Sequence, residues 1–62
     1  MVAKFLRFNE RIIRIEEIDY FYFNDEKYFI DLYLKDGQYF QECYISEDAL
    51  RIRIDEIMHV IN

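Results

Sequence analysis

Lys35-Asp36-Gly37-Gln38 stands between two alternating runs, and no other stretch constrains the fold as much. An Asp-Gly pair flanked by alternating apolar and polar residues is the strongest short-range mark of a β-hairpin. On one side, residues 28–35 (YFIDLYLK) place Ile30, Leu32 and Leu34 on one face and Asp31 and Lys35 on the other. On the other side, residues 39–45 (YFQECYI) return as the partner strand. Gly37 is the single glycine and there is no proline, so the remaining tight turns must be built from Asn and Asp.

The rest of the chain falls into place around this hairpin. Residues 2–8 (VAKFLRF) read as a first strand and residues 11–15 (RIIRI) as a short β-branched second strand, joined by Asn9-Glu10. Glu10 is a poor residue for the positive φ that such a connection demands. Glu16-Glu17 interrupts the pattern, residues 18–23 (IDYFYF) form a third strand, and Asn24-Asp25-Glu26 is a turn cluster. The last segment admits two readings. Leu50 to Asp55 alternates and fits a strand, but the alternation fails at Glu56 and Ile57. A helix over 47–61 accounts for more: Leu50, Ile54, Ile57, Met58 and Ile61 share a face. Ser46 is a good N-cap, and Glu47 and Asp48 sit where the helix dipole favours acids. The expected fold is α+β, one domain over 1–62: an antiparallel β-meander of about five strands with one C-terminal helix packed on one face.

A helix of this length is about 22 Å long and an eight-residue strand about 26 Å, so the helix can cover one side of the sheet only. The chain carries six Phe and six Tyr in 62 residues. Each buried ring removes roughly 150–250 Å² from water, and a domain this small cannot bury all of them. The uncovered face is therefore expected to be aromatic, with Phe29, Tyr33, Phe40 and Tyr44 mixed with Asp31 and Glu42. Phe21 and Phe23, or Tyr20 and Tyr22, join them according to register. An apolar patch of this kind marks an interaction surface. Phe29, Tyr33, Phe40, Tyr44, Phe21 and Phe23 are the expected protein-interface residues. Association is also the remaining source of stability, because the lone Cys43 excludes an internal disulfide.

Charge and motif content exclude most other classes. The net charge is -5, with acids scattered among the bases. Phosphate neutralisation needs a basic stripe, so nucleic acid is not an expected partner, and an anionic membrane is disfavoured for the same reason. No apolar run approaches a membrane span. The opening MVAKFLRFNER lacks the apolar core of a signal peptide, and a free thiol fits the cytoplasm. Cys43 and His59 are too few to hold structural zinc, and no cofactor is expected. His59 has no indicated nucleophile beside it and reads as exposed helix surface. Cys43 has an acidic neighbour, Glu42, which disfavours a thiolate. Asp25-Glu26 and Glu47-Asp48 lack the spacing of a calcium loop. A phosphate loop is impossible with one glycine. Arg11, Arg14, Arg51 and Arg53, interspersed with Ile, read as solvated edges that blunt aggregation. No residue pair supports catalysis, and the chain is read as non-enzymatic.

Several short motifs carry a resemblance. Phe5-Leu6-Arg7-Phe8-Asn9, Ile13-Arg14-Ile15-Glu16-Glu17-Ile18, Ile30 to Gly37, and Ser46 opening a helix follow one another along most of the chain. This layout resembles the small FlbD/SwrD-type flagellar and swarming-motility proteins and their phage relatives. Those open on an apolar-x-apolar-Asn-Gly hairpin and close on a Ser-led acidic helix. Glu10 stands where the family commonly has its first glycine, and Cys43-Tyr44-Ile45 replaces the usual residues before the helix. The resemblance implies a β-meander plus helix and an accessory role through protein contacts, with no catalytic residues. The expected function is a small protein-interaction module, self-associating as a homodimer through its aromatic face. The alternative is an acidic phage-type inhibitor that occupies a nucleic-acid site on its target. A mimic of that kind aligns its acids in a band.

Overall fold

The protein is described by a computed structural model that covers residues 4–62. The elements run β1 (Phe5–Phe8), β2 (Arg11–Arg14), a 3-10 turn (Ile15–Glu17), β3 (Ile18–Asn24), β4 (Phe29–Leu34), β5 (Tyr39–Cys43) and α1 (Glu47–Ile61). This is the α+β class read from the sequence, with antiparallel strands and a C-terminal helix. Residues 2 and 3 of the expected first strand lie outside the described residues. The strands do not form a single meander. β1 and β2 make a two-stranded hairpin, and β3, β4 and β5 make a separate three-stranded sheet. The break falls at Glu16-Glu17, where the chain closes a 3-10 turn instead of continuing extended. Ile15 N–H still donates to the Lys4 carbonyl at 3.1 Å, and Lys35 N–H donates to the Glu17 carbonyl at 3.0 Å, so the turn is held on both flanks.

Side-chain chemistry sets each connection. Asn9 and Glu10 both take positive φ, 51° and 67°, as a tight hairpin with primed geometry requires. The Asn24 Oδ1 accepts from the N–H groups of Glu26 at 3.0 Å and Lys27 at 2.9 Å, and Tyr28 leaves this loop at φ 57°. At the second hairpin, Gly37 takes φ 93°. The helix starts as its sequence signal implies: Ser46 is extended and its hydroxyl accepts from Ala49 N–H at 3.2 Å.

The core lies between the sheet and a second layer made jointly by the hairpin and the helix. Leu6, Phe8 and Ile13 come from the hairpin, Ile30, Leu32 and Leu34 from β4, and Leu50 and Ile57 from α1. Ile54 and Ile61 are half-buried beside them. Met58, expected on the buried stripe, is 45% exposed. It sits roughly 100° around the helix from Ile57. The buried stripe runs along Leu50, Ile54, Ile57 and Ile61, and Met58 falls off that line at its exposed edge.

The hairpin and helix are tied to the sheet by a polar clasp centred on Glu42. Its carboxylate accepts from Asn9 N–H at 2.7 Å and from Arg53 Nε at 3.0 Å, and also takes the Tyr44 hydroxyl. Arg53 in turn donates to the Arg7 carbonyl and lies 6.0 Å from the Phe8 ring. The two charged side chains retain only 15% and 20% exposure. Burial pushes the Glu42 carboxyl up, but the bonds from Arg53, Tyr44 and Asn9 outweigh it, and Glu42 ends below its ordinary range. Burial and the Glu42 carboxylate push the Tyr44 phenol strongly upward.

Candidate functional site: the tyrosine face

The uncovered side of the three-stranded sheet is set by register. Tyr20 lies opposite Tyr33, Tyr22 opposite Asp31 and Asn24 opposite Phe29. Across the other edge of β4, Tyr33 pairs with Tyr39, Asp31 with Gln41 and Phe29 with Cys43. Side chains at paired positions share a face, so the outer face consists of three rows: Tyr20-Tyr33-Tyr39, Tyr22-Asp31-Gln41 and Asn24-Phe29-Cys43.

This corrects the expected aromatic patch. Phe29 and Tyr33 lie on the outer face, whereas Phe40, Tyr44 and Phe21 lie on the inner side with the core, and Phe23 lies on that side too but at its exposed margin. The reason for β5 is one residue of loop length. A two-residue Asp-Gly loop would pair Lys35 with Gln38 and set Phe40 beside Tyr33. Instead Leu34 N–H donates to the Gln38 carbonyl at 2.9 Å and Gly37 N–H to the Leu34 carbonyl at 3.0 Å, which makes a three-residue loop of Lys35, Asp36 and Gly37. A three-residue loop with glycine at its left-handed position is the next commonest hairpin. A slip of one residue turns every side chain of a strand over. Tyr39, Gln41 and Cys43 therefore face outward, and Phe40, Glu42 and Tyr44 face inward. For β3, the register chooses Tyr20 and Tyr22 for the outer face. Phe21 and Phe23 stack at 6.0 Å on the inner side, with Phe21 6.4 Å from Phe8. Phe40 is capped by the Arg11 guanidinium at 4.6 Å.

The outer rings form one connected surface. Tyr20 and Tyr33 stack with centroids 4.5 Å apart and planes 14° apart, and Tyr33 meets Tyr39 at 5.1 Å. Tyr22 meets Phe29 at 6.4 Å. Tyr20 and Tyr22 remain 52% exposed and Tyr39 47%. Such cross-strand aromatic pairs stabilise a sheet by about 0.2–1 kcal/mol each, which explains how so exposed a row stays ordered.

Asp31 stands in the middle of this face and is only 6% exposed. Its Oδ1 accepts from the Tyr39 hydroxyl at 3.0 Å and from Gln41 Nε2 at 3.0 Å. Gln41 Nε2 also donates to the Tyr39 oxygen at 3.2 Å, and Cys43 Sγ reaches Gln41 Oε1 at 3.5 Å. Among the described residues, no donor is paired with Asp31 Oδ2 and no Lys, Arg or His forms an ion pair with Asp31. Burial, followed by the Asp31 charge, raises the Tyr33 phenol above its ordinary range. The bond to Asp31, then burial, does the same for Tyr39. Both phenols are neutral at physiological pH, and the face carries one negative charge with no compensating base among its nine positions.

The sequence pattern places Asp31 on this side of the sheet but does not reveal that Tyr39 and Gln41 converge on it. Its signal was a lone acid between Ile30 and Leu32 in a strand otherwise rich in rings. His59 and Cys43 are both exposed. Among the described residues no group of three His, Cys, Asp or Glu is placed to hold a metal ion, and no helix is long and apolar enough to cross a membrane. No family model, no curated protein and no solved structure matches this chain.

Proposed function

We propose that this chain is a small, non-enzymatic protein-interaction module whose docking surface is the tyrosine face. The observation that carries the reading is the run of half-exposed rings, Tyr20, Tyr22 and Tyr39, locked in register around a buried acid. Tyrosine is enriched at binding hot spots because it offers large area with little side-chain entropy to lose. Here ring stacking removes part of even that cost before a partner arrives. The exposed Cys43 thiol at the rim of the face suits a reducing compartment, which supports work in the cytoplasm. The motif likeness to the FlbD/SwrD type points the same way, toward an accessory role through protein contacts.

The test uses the full chain as bait in lysate of its source cells, beside a Tyr20→Ser, Tyr22→Ser double variant. Both rings are exposed, so the variant should keep the wild-type circular dichroism spectrum. Proteins captured by the wild type should be lost from the variant. Identical capture by the two chains would remove the tyrosine face from the function.

A further inference from the structure

Asp31 is an unusual residue to find at the centre of an aromatic docking surface. A carboxylate this buried ordinarily sits beside a cation or accepts bonds on both oxygens. Here both protein donors, Tyr39 and Gln41, converge on Oδ1, no described residue supplies a partner for Oδ2, and Oδ2 itself stays open to solvent, where an incoming donor can reach it. Tyr22 stands opposite Asp31 on β3, Tyr39 donates its hydroxyl to it and Tyr33 lies two residues on along β4, so it is bordered by aromatic rings, whose π-electron density attracts positive charge. We infer that the tyrosine face is a receptor for an arginine or lysine side chain carried on an extended segment of a basic partner protein, with the cation at Asp31 Oδ2 and tyrosine rings flanking it. This rests on the reading of the face as a docking surface and names the chemistry of what docks.

Three observations select that occupant. The first is charge: the face is anionic and the chain carries a net charge of -5, so its field draws a basic segment toward the site. The second is area. Three strands about 4.8 Å apart and about five residues deep give a face on the order of 200–300 Å². A stable dimer of folded chains takes about 800 Å² from each side. The face matches one extended segment rather than a second copy. The third is symmetry. Asp31 lies in the central row of the central strand, so a two-fold partner centred on this face brings the two Asp31 carboxylates near each other. Nucleic acid is disfavoured by the same carboxylate, which repels phosphate.

The probe is a synthetic decapeptide of alternating arginine and serine, titrated into the full-length ¹⁵N-labelled chain at low salt, with a glutamate–serine peptide as control. The expected result is saturable shifts centred on Tyr20, Tyr22, Asp31, Tyr39 and Gln41, and none with the acidic peptide. Asp31→Asn should weaken binding by about tenfold. Glu47→Gln, which removes one charge from the exposed start of α1, should change it by less than about twofold. Equal affinity for Asp31→Asn and Glu47→Gln would overturn the inference, as would shifts located away from the outer face. Should Asp31→Asn lose the native spectrum, Tyr22→Ala decides: severalfold weaker binding supports the site, and unchanged binding removes it. If the basic peptide fails to bind while lysate capture still depends on Tyr20 and Tyr22, the cation site falls and the docking face stands. If capture is also independent of those rings, both fall.

Discussion

At the scale of single residues, local chemistry and backbone geometry disagree at Glu10 and Tyr28 and agree at others. Glu10 occupies the left-handed region at φ 67° with no glycine to relieve it. Its side chain makes no hydrogen bond among the described residues, so only the turn geometry holds it there. Glu10→Gly is therefore expected to stabilise the fold by about 1 kcal/mol. For a domain this small that corresponds to a rise in melting temperature of about 4–8 °C, measurable by calorimetry. Gly37 is the opposite case. A Cβ at Gly37 meets nothing within 4 Å, so Gly37→Ala is penalised by its φ of 93° alone. The loss should be about 1 kcal/mol in urea denaturation, and a null effect would show that the loop relaxes freely.

At the scale of elements, most of the fold was legible and its registers were not. Strand positions follow from alternation, and the helix follows from the Ser46 cap and the Leu50, Ile54, Ile57, Ile61 spacing. Loop length is a different kind of information. Lys35-Asp36-Gly37-Gln38 is compatible with a two- or a three-residue hairpin, and the two differ by only a modest free energy in the isolated turn. The choice is settled by what β5 does at a distance. In the adopted register Glu42 reaches Asn9 and Arg53, and Phe40 goes under Arg11. None of these three partners adjoins β5 in sequence, so no local pattern announces the pairing. The same holds for the division into two sheets. Glu16-Glu17 signals an interruption, but only the packing of Leu6, Phe8 and Ile13 on the core shows that the hairpin folds over as part of a second layer. The candidate site was half visible for the same reason: β4 placed Phe29, Asp31 and Tyr33 unambiguously, while β3 and β5 depended on register.

For the molecule as a whole, the Glu42 clasp joins pieces that share no strand ladder. Removing its charge with Glu42→Gln should cost about 2 kcal/mol at neutral pH. Because the folded-state Glu42 lies below its ordinary value near 4.5, its contribution is present above that pH and disappears as pH falls through the lower folded value. Wild type and Glu42→Gln should accordingly converge in stability as the solution is acidified below about 4.5. Tyr44 behaves in the opposite sense. Its phenol is raised above the ordinary value of 10.0, so its contribution is complete below that pH and is lost progressively as pH rises beyond it. Tyr44→Phe should be less stable than wild type at neutral pH and approach it in strongly alkaline solution. Urea melts of the two pairs across pH check both limbs, and parallel pH profiles would show that neither group is coupled to folding as described.

The three-residue loop between β4 and β5 also has a consequence for descent. Losing or gaining one codon there would exchange the inside and outside of a whole strand, sending Tyr39 and Cys43 into the interior and Phe40 and Glu42 into water. Substitutions accumulate one at a time and can be tested one at a time by selection. A change of length at this point alters five side chains at once. Lineages that keep this fold are therefore expected to drift in spelling along β5 while holding its distance from β4 fixed.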